Sequence, residues 1–206
     1  MTGAASSAGL WIALEGGDGC GKSTQAARLA EQFDAVVTRE PGGSEAGSAI
    51  REVVLSPRYE LTDRTEALLM AADRAQHFEE IVAPALAAGR TVVSDRSVAS
   101  SLAYQGYGRG LGVEKVWELN DWALDGHWPD VFVLLECPPA EAASRLGDDL
   151  DRIERSSTAF FEAVAAGFVD MAANDPERWL VVDASGSVES VTGRITSALA
   201  AAGFTP

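Results

Sequence analysis

One short run limits the fold more than any other part of the chain: Gly16-Gly17-Asp18-Gly19-Cys20-Gly21-Lys22-Ser23-Thr24. It fits the spacing G-x-x-x-x-G-K-[ST] of a phosphate-binding loop. Glycines allow positive φ and bring backbone N–H groups against phosphate oxygens. A helix starting at the loop adds its N-terminal N–H groups and dipole. Lys22 can reach β- and γ-phosphates, and the Ser23 hydroxyl can ligate a divalent cation. The context agrees: residues 10–14 read as a short buried strand. Residues 24–33 read as a helix with Ala27, Leu29, Ala30 and Phe33 on overlapping apolar faces.

Apolar runs recur at 35–38, 91–94, 131–136 and 179–182, without the strict alternation of a half-exposed strand. Helical patterns occupy 47–55, 62–88, 113–125, 149–174 and 188–201, and Gly89 is a helix stop. This alternation predicts an α/β fold with a mostly parallel, five-stranded sheet covered by helices on both faces. A chain of 206 residues, 47% hydrophobic, suits one domain over 10–206, behind a disordered tail over 1–9. The tail lacks the basic start of a signal peptide, and no apolar run is long enough to cross a bilayer. The net charge of −15 argues against nucleic acid as a partner, though arginines focused in one cleft can still take an anionic substrate. Two cysteines, Cys20 in the loop and Cys137 after a strand-like run, suggest no disulfide framework and a reduced, cytoplasmic protein. Cys20 reads as a small loop filler.

In such a sheet, ligands bind beyond the carboxyl ends of the strands. The first strand delivers Glu15 and the loop, the second Arg39-Glu40-Pro41-Gly42-Gly43, the third Asp95-Arg96. Two arginines and two acids would converge on one phosphate site. Taken singly, Arg39 could cap a strand end and Asp95–Arg96 could be an internal ion pair. Met70 and Arg74 are spaced i, i+4 on one helix face, so one could cover a planar ligand while the other bonds its edge. On periodicity alone, Met70 reads as core and Arg74 as solvated. His77 and His127 have no metal-ligand spacing, so no zinc site is expected.

Taken together, these segments resemble the thymidylate kinases, nucleoside-monophosphate kinases of the phosphate-loop class. The matching runs include residues 15–24, Thr38 to Gly43, Ala72-Asp73-Arg74, Asp95-Arg96, Ala103-Tyr104-Gln105-Gly106, Asp151-Arg152-Ile153-Glu154 and Val182 to Ser185. The Arg-Glu-Pro-Gly-Gly and Ala-Tyr-Gln-Gly runs are the most specific. The resemblance implies a three-layer fold with a short lid near 144–156, and transfer of the γ-phosphoryl of ATP to dTMP with Mg²⁺. Carried over by position, residues 16–24 (Gly16, Gly17, Asp18, Gly19, Cys20, Gly21, Lys22, Ser23, Thr24) hold ATP, and Ser23 contacts Mg²⁺. Asp18 faces the deoxyribose, Arg39 and Arg96 surround the dTMP phosphate, Arg74 bonds the thymine edge, Ser101 makes a polar base contact, and Tyr104 disfavours a ribose. Residues 183–185 belong to the adenine side. The family also implies a homodimer, to which the 62–88 helix could contribute.

Three positions depart from the family pattern. Met70 stands where Phe usually stacks on thymine, and Ser97 where many members carry an aromatic. Gly19 stands where some members carry a loop arginine; members with Gly there supply arginines from the lid. Here residues 144–149 hold one arginine and two acids. Lys22 and Arg96 are expected to be catalytic, with a lid arginine: Arg152 first, because its motif is unbroken, then Arg145, with Arg155 solvated. Two alternatives stay open: a related kinase with altered base preference, and a nucleotide-binding protein with weakened catalysis.

Overall fold

The computed structural model describes residues 9–145 and 150–206. Residues 1–8 of the expected tail and 146–149 of the expected lid lie outside the described residues. Five strands, β1 (Trp11–Glu15), β2 (Val36–Arg39), β3 (Val92–Asp95), β4 (Val131–Glu136) and β5 (Trp179–Asp183), form one sheet in the order β2-β3-β1-β4-β5. Every pairing is parallel.

Alternate residues of the central strands feed two separate cores, as the period-two geometry of a strand requires. Trp11, Ala13, Val92, Phe132, Leu134 and Trp179 face one side, where they meet Phe78, Val82, Phe160 and Phe168. Ile12, Leu14, Val93, Val131, Val133 and Val182 face the other, against Ala26, Leu29, Phe33, Val191, Ile195 and Leu199. The second set lies on α1 (Lys22–Phe33) and on the C-terminal helix Val188–Ala201. The arrangement is therefore three-layered, and β1, buried at all five positions, reads as continuously apolar because both its faces are covered.

The remaining helices are α2 (Glu45–Leu55), α3 (Asp63–His77), α4 (Ala83–Ala87), α5 (Val98–Ser101), α6 (Val113–Ala123), α7 (Pro139–Arg145), α8 (Thr158–Asn174) and α9, the C-terminal helix already given. The predicted 62–88 helix is continuous but changes pitch: a π-helical stretch, Phe78–Val82, joins α3 to α4. It ends at Gly89, whose φ of +72° is left-handed. A second π-helical stretch, Leu102–Gly108, continues α5. The helix expected over 149–174 starts later, at Thr158, where the Ser157 side chain accepts from Phe160 N. Residues 150–156 form a turn instead, because the Asp151 carboxylate accepts from Ile153 N and Glu154 N, both at 2.8 Å. Glu154 reciprocates by accepting from Asp151 N at 2.8 Å.

Chain order leaves β1 central, with β3 on one side and β4 on the other. The crevice of an open parallel sheet lies at such a reversal, beyond the strand carboxyl ends. Glu15, Arg39 and Asp95 end three neighbouring strands there.

Candidate nucleotide-binding site

The loop between β1 and α1 has positive φ at Gly16, Gly19 and Gly21, of +133°, +78° and +91°. Gly21 caps α1 with no side-chain hydrogen bond, so the first N–H groups of the helix remain open to an anion. Gly19 meets a second requirement: a Cβ there would collide with the carbonyl of Ala142 on α7. The Lys22 ammonium lies along the loop, donating to Gly16 O at 3.2 Å and Gly17 O at 2.6 Å. The Ser23 hydroxyl donates to the Asp95 carboxylate. Two hard oxygen donors at the phosphate end suit Mg²⁺, which takes one or two carboxylates with substrate phosphates rather than a full protein cage.

Arg96 occupies the left-handed region, φ +70°, a conformation an arginine adopts only where its surroundings impose it. Its guanidinium donates to Gly16 O and Ser100 Oγ, each at 3.0 Å, pairs with Asp18, and lies 5.0 Å from the centre of the Tyr104 ring. Tyr104 donates its hydroxyl to Asp18 at 3.1 Å. Burial pushes the Asp18 carboxyl up, but the charges of Arg96 and Lys22 outweigh it and hold Asp18 below its usual range. Burial disfavours the charged form of Arg96, yet Tyr104, Asp18, Glu15 and Asp95 raise its pKa overall. Beneath it, the fully buried Glu15 accepts from Ser97 N and Ser97 Oγ at 2.9 and 2.7 Å, and from Ser100 Oγ at 2.6 Å. Burial dominates here and raises the Glu15 pKa despite those hydroxyls. Ser97 thus anchors a buried acid where the family pattern often has an aromatic.

Arg74 is buried, which corrects the expectation of a solvated side chain. Its Nε donates to Glu40 at 2.8 Å, Nη1 to Ser101 Oγ at 3.0 Å and to Asn120, and Nη2 to Ser97 O at 3.1 Å. Glu40 also meets His77 Nδ1 at 2.8 Å, and His77 Nε2 meets Thr38 Oγ1 at 2.6 Å. Burial raises the Glu40 pKa, but Arg74 and His77 more than reverse it. His77 is thus tied on both ring nitrogens inside this network. Asp73 beside it accepts from Gly42 N at 2.9 Å. Desolvation and the nearby Glu40 push Asp73 up to about 6.

These groups line two adjoining clefts. The inner one is bounded by Met70, Arg74, Ser101, Tyr104 and Gln105, with Asp18, Arg51 and Arg96. The outer one is bounded by Lys22, Ser23, Arg39, Asp95 and Arg145. Asp18, Glu40, Arg51, Arg96 and Glu154 border both.

Met70 lines the inner cleft while also packing on the core. Arg39 is exposed at the outer mouth. The inner cleft takes Arg51 from α2 instead, its Nη1 held on Pro41 O at 2.9 Å. Burial, and repulsion from Arg39 and Arg96, lower the Arg51 pKa. Sequence reasoning passed over Arg51; its one signal was that it is the only cation of α2. Gln105 was noted only as part of a motif. It is 1% exposed, lines the inner cleft, and its Oε1 has no hydrogen-bond partner among the described residues.

The three arginines weighed for the expected lid separate. Arg145, at the end of α7, reaches the outer cleft and donates to Gly19 O at 3.3 Å, while pairing with Glu141. Arg152, placed first from its motif, turns away: it donates to Val54 O and to Glu66 Oε2, each at 2.7 Å. The reason is that Glu66 is buried and needs compensating charge, which the turn over 150–156 brings to it. Arg155 donates to Leu150 O at 2.9 Å and borders neither cleft.

A family model described as thymidylate kinase matches residues 14–195 of this chain. The chain belongs to the thymidylate kinase family. It is 48% identical to a thymidylate kinase of Clavibacter michiganensis subsp. michiganensis, covering 95% of this chain and 98% of the relative. It is 44% identical to one from an Exiguobacterium species, covering 91% and 92%. Among solved structures, a thymidylate kinase from Ehrlichia chaffeensis superposes with a TM-score of 0.78 at 29% identity, covering 93% of this chain and 99% of that one. No helix among the described residues is long and apolar enough to cross a membrane.

Proposed function

We propose that dTMP lies in the inner cleft, its phosphate toward Arg96 and Arg51 and its base toward Met70, Arg74, Ser101 and Gln105, while the loop holds ATP. As a thymidylate kinase, the chain transfers the γ-phosphoryl of ATP to dTMP, giving dTDP and ADP. The observation that carries the placement is the common wall of the two clefts: Asp18, Arg51 and Arg96 border both, so donor and acceptor phosphates would meet there.

Phosphoryl transfer asks the protein mainly for positioning and positive charge. Lys22 and the α1 N-terminus would take the β- and γ-phosphates, Lys22 exchanging its loop carbonyls for phosphate oxygens. Arg96 and Arg51 would fix the acceptor phosphate, with Arg39 at the mouth. Arg145 would bring lid charge to the transferring group. Ser23, backed by Asp95, would hold Mg²⁺, which when bound with ATP neutralises charge on the β- and γ-oxygens. Asp18 would accept from the 3′-hydroxyl, and Tyr104 would crowd the 2′ position.

The base end favours an imide. Arg74 keeps one Nη2–H beyond its four bonds and can donate to a ring carbonyl. The buried Gln105 Oε1 needs a donor, which N3–H of thymine supplies and N3 of cytosine does not. Leu68 on α3 and Trp117 and Trp122 on α6 are exposed on two helices that pack together, which supports the family's homodimer for this chain. Two free thiols, Cys20 and Cys137, suit a reducing cytoplasm. A coupled ADP-release assay over dTMP, dUMP, dCMP and dGMP tests the reading. The expected order puts dTMP first and dCMP far behind; equal turnover of dCMP would refute the placement of the base.

A further inference from the structure

Glu66 lies on α3 one turn before Met70 and is 1% exposed. Its carboxylate is crowded with donors. Gln105 Nε2 reaches Oε1 at 2.9 Å, Arg109 Nε reaches Oε1 at 3.2 Å, Arg109 Nη2 reaches Oε2 at 3.0 Å and Arg152 Nη2 reaches Oε2 at 2.7 Å. Arg109 is itself held, donating to Ser156 Oγ at 3.2 Å and lying 4.2 Å from the centre of the Phe160 ring.

The group that the Gln105 amide meets is the carboxylate, which only accepts, so the amide sits with its nitrogen toward Glu66 and its oxygen away. The two ends of an amide are nearly the same size, so packing by itself would let it turn over. With the base placed against the buried, unpartnered Oε1, turning the amide over would replace an acceptor there with a donor. An acceptor there complements the N3–H of thymine or uracil; a donor complements the N3 lone pair of cytosine.

We propose that Glu66, which need not touch the nucleotide, is a positioning residue for base selection, locking Gln105 with its oxygen toward the base and so selecting imide bases against cytosine. This rests on the reading that the base lies against Gln105. Arg109 and Arg152 supply the charge that lets a buried carboxylate persist. Burial pushes the Glu66 carboxyl up, and the bonds from Arg109 and Gln105 more than reverse it, so it stays ionised and acceptor-only at neutral pH.

The test is kcat/KM for dTMP, dUMP and dCMP. Glu66→Gln keeps the shape but can donate as well as accept, so both orientations of Gln105 become available. The dTMP:dCMP ratio should fall by about tenfold or more, while dTMP:dUMP stays unchanged, since both bases carry the imide N3–H. A general loosening of the cleft would move both ratios. Glu66→Asp keeps an acceptor-only group and should retain most of the dTMP:dCMP ratio. Arg109→Gln loosens the cluster but leaves the carboxylate, and should retain it too. If Glu66→Gln is too unstable to assay, the Glu66→Gln, Arg109→Gln double variant removes carboxylate and one counter-charge together and carries the same expectation. Gln105→Leu separates the two levels. If it leaves the dTMP:dCMP ratio intact, the base does not lie against Gln105 and the underlying placement fails. If Gln105→Leu collapses the ratio and Glu66→Gln does not, the positioning role alone is overturned.

Discussion

Arg145 and Arg152 give the sharpest test of where catalytic charge comes from, because the structure gives them opposite kinds of partner. Arg152→Ala removes a charge-assisted bond to the buried Glu66 and uncovers Val54 O. Glu66 keeps Arg109 at 3.0 Å, so no isolated buried charge remains. The cost should therefore lie at the lower end for such bonds, about 2 kcal/mol. For a chain of this size that is a Tm drop of roughly 4–8 °C. Arg152 borders neither cleft, so kcat at saturating substrates should fall by no more than about threefold. Arg145→Ala should behave in the opposite way. Its pair with Glu141 is one-third exposed at each end, worth about 0–1 kcal/mol, and Tm should barely move. Removing a charge that acts on the transferring phosphoryl should lower kcat by roughly 10²-fold or more with a smaller change in KM. Differential scanning fluorimetry and steady-state ADP release on the same preparations measure both. If Arg152→Ala loses more kcat than Arg145→Ala with little change in Tm, the assignment of the two side chains is refuted.

Lys22→Ala should leave Tm near that of the parent and reduce kcat by roughly 10²–10³-fold; a folded variant with near-parent turnover would exclude the loop from catalysis. Arg96→Ala should raise KM for dTMP by roughly ten- to a hundredfold, the loss of a bond of about 1.5–3 kcal/mol, with a smaller effect on ATP. A loss confined to ATP would place Arg96 on the other phosphate. Asp73 has a folded pKa of about 6 against 3.8 for the free side chain. The folded form thus holds a proton that the unfolded chain releases between those values, and stability falls as pH rises through that window. Asp73→Asn keeps the acceptor for Gly42 N and removes the titration. Its Tm relative to the parent should climb from pH 4 to pH 7, and a difference constant over that range would contradict the burial argument.

Much of the site was legible because its signals are local. The loop spacing, the buried strand before it and the helix after it lie within two dozen residues, and periodicity located all five strands to within one residue or so at each end. Arg74 shows where local reading stops. Its partners Glu40, Ser101 and Asn120 lie 34, 27 and 46 residues away, so only the assembled fold turns a helix-surface arginine into a buried one. Arg51 was missed for the same reason, since its importance comes from where α2 docks. The turn over 150–156 was different: the Asp151 and Glu154 reciprocal bonds are local, and the Asp-x-x-Glu spacing that writes them was visible but was absorbed into a long helical pattern. That absorption also misplaced Arg152, which follows the turn to Glu66.

The contact between Gly19 and α7 ties two positions that are 126 residues apart to a single choice. The helix carrying Arg145 rests where a side chain at position 19 would project, so a loop cation and this seating of α7 exclude each other. A Gly19→Arg change alone would bring one positive charge in and displace the other. Exchange between the two sources of charge is therefore a valley for single substitutions: the intermediate has a crowded loop or a bare one, and only a paired change, or a lid that first moves its resting place, crosses it.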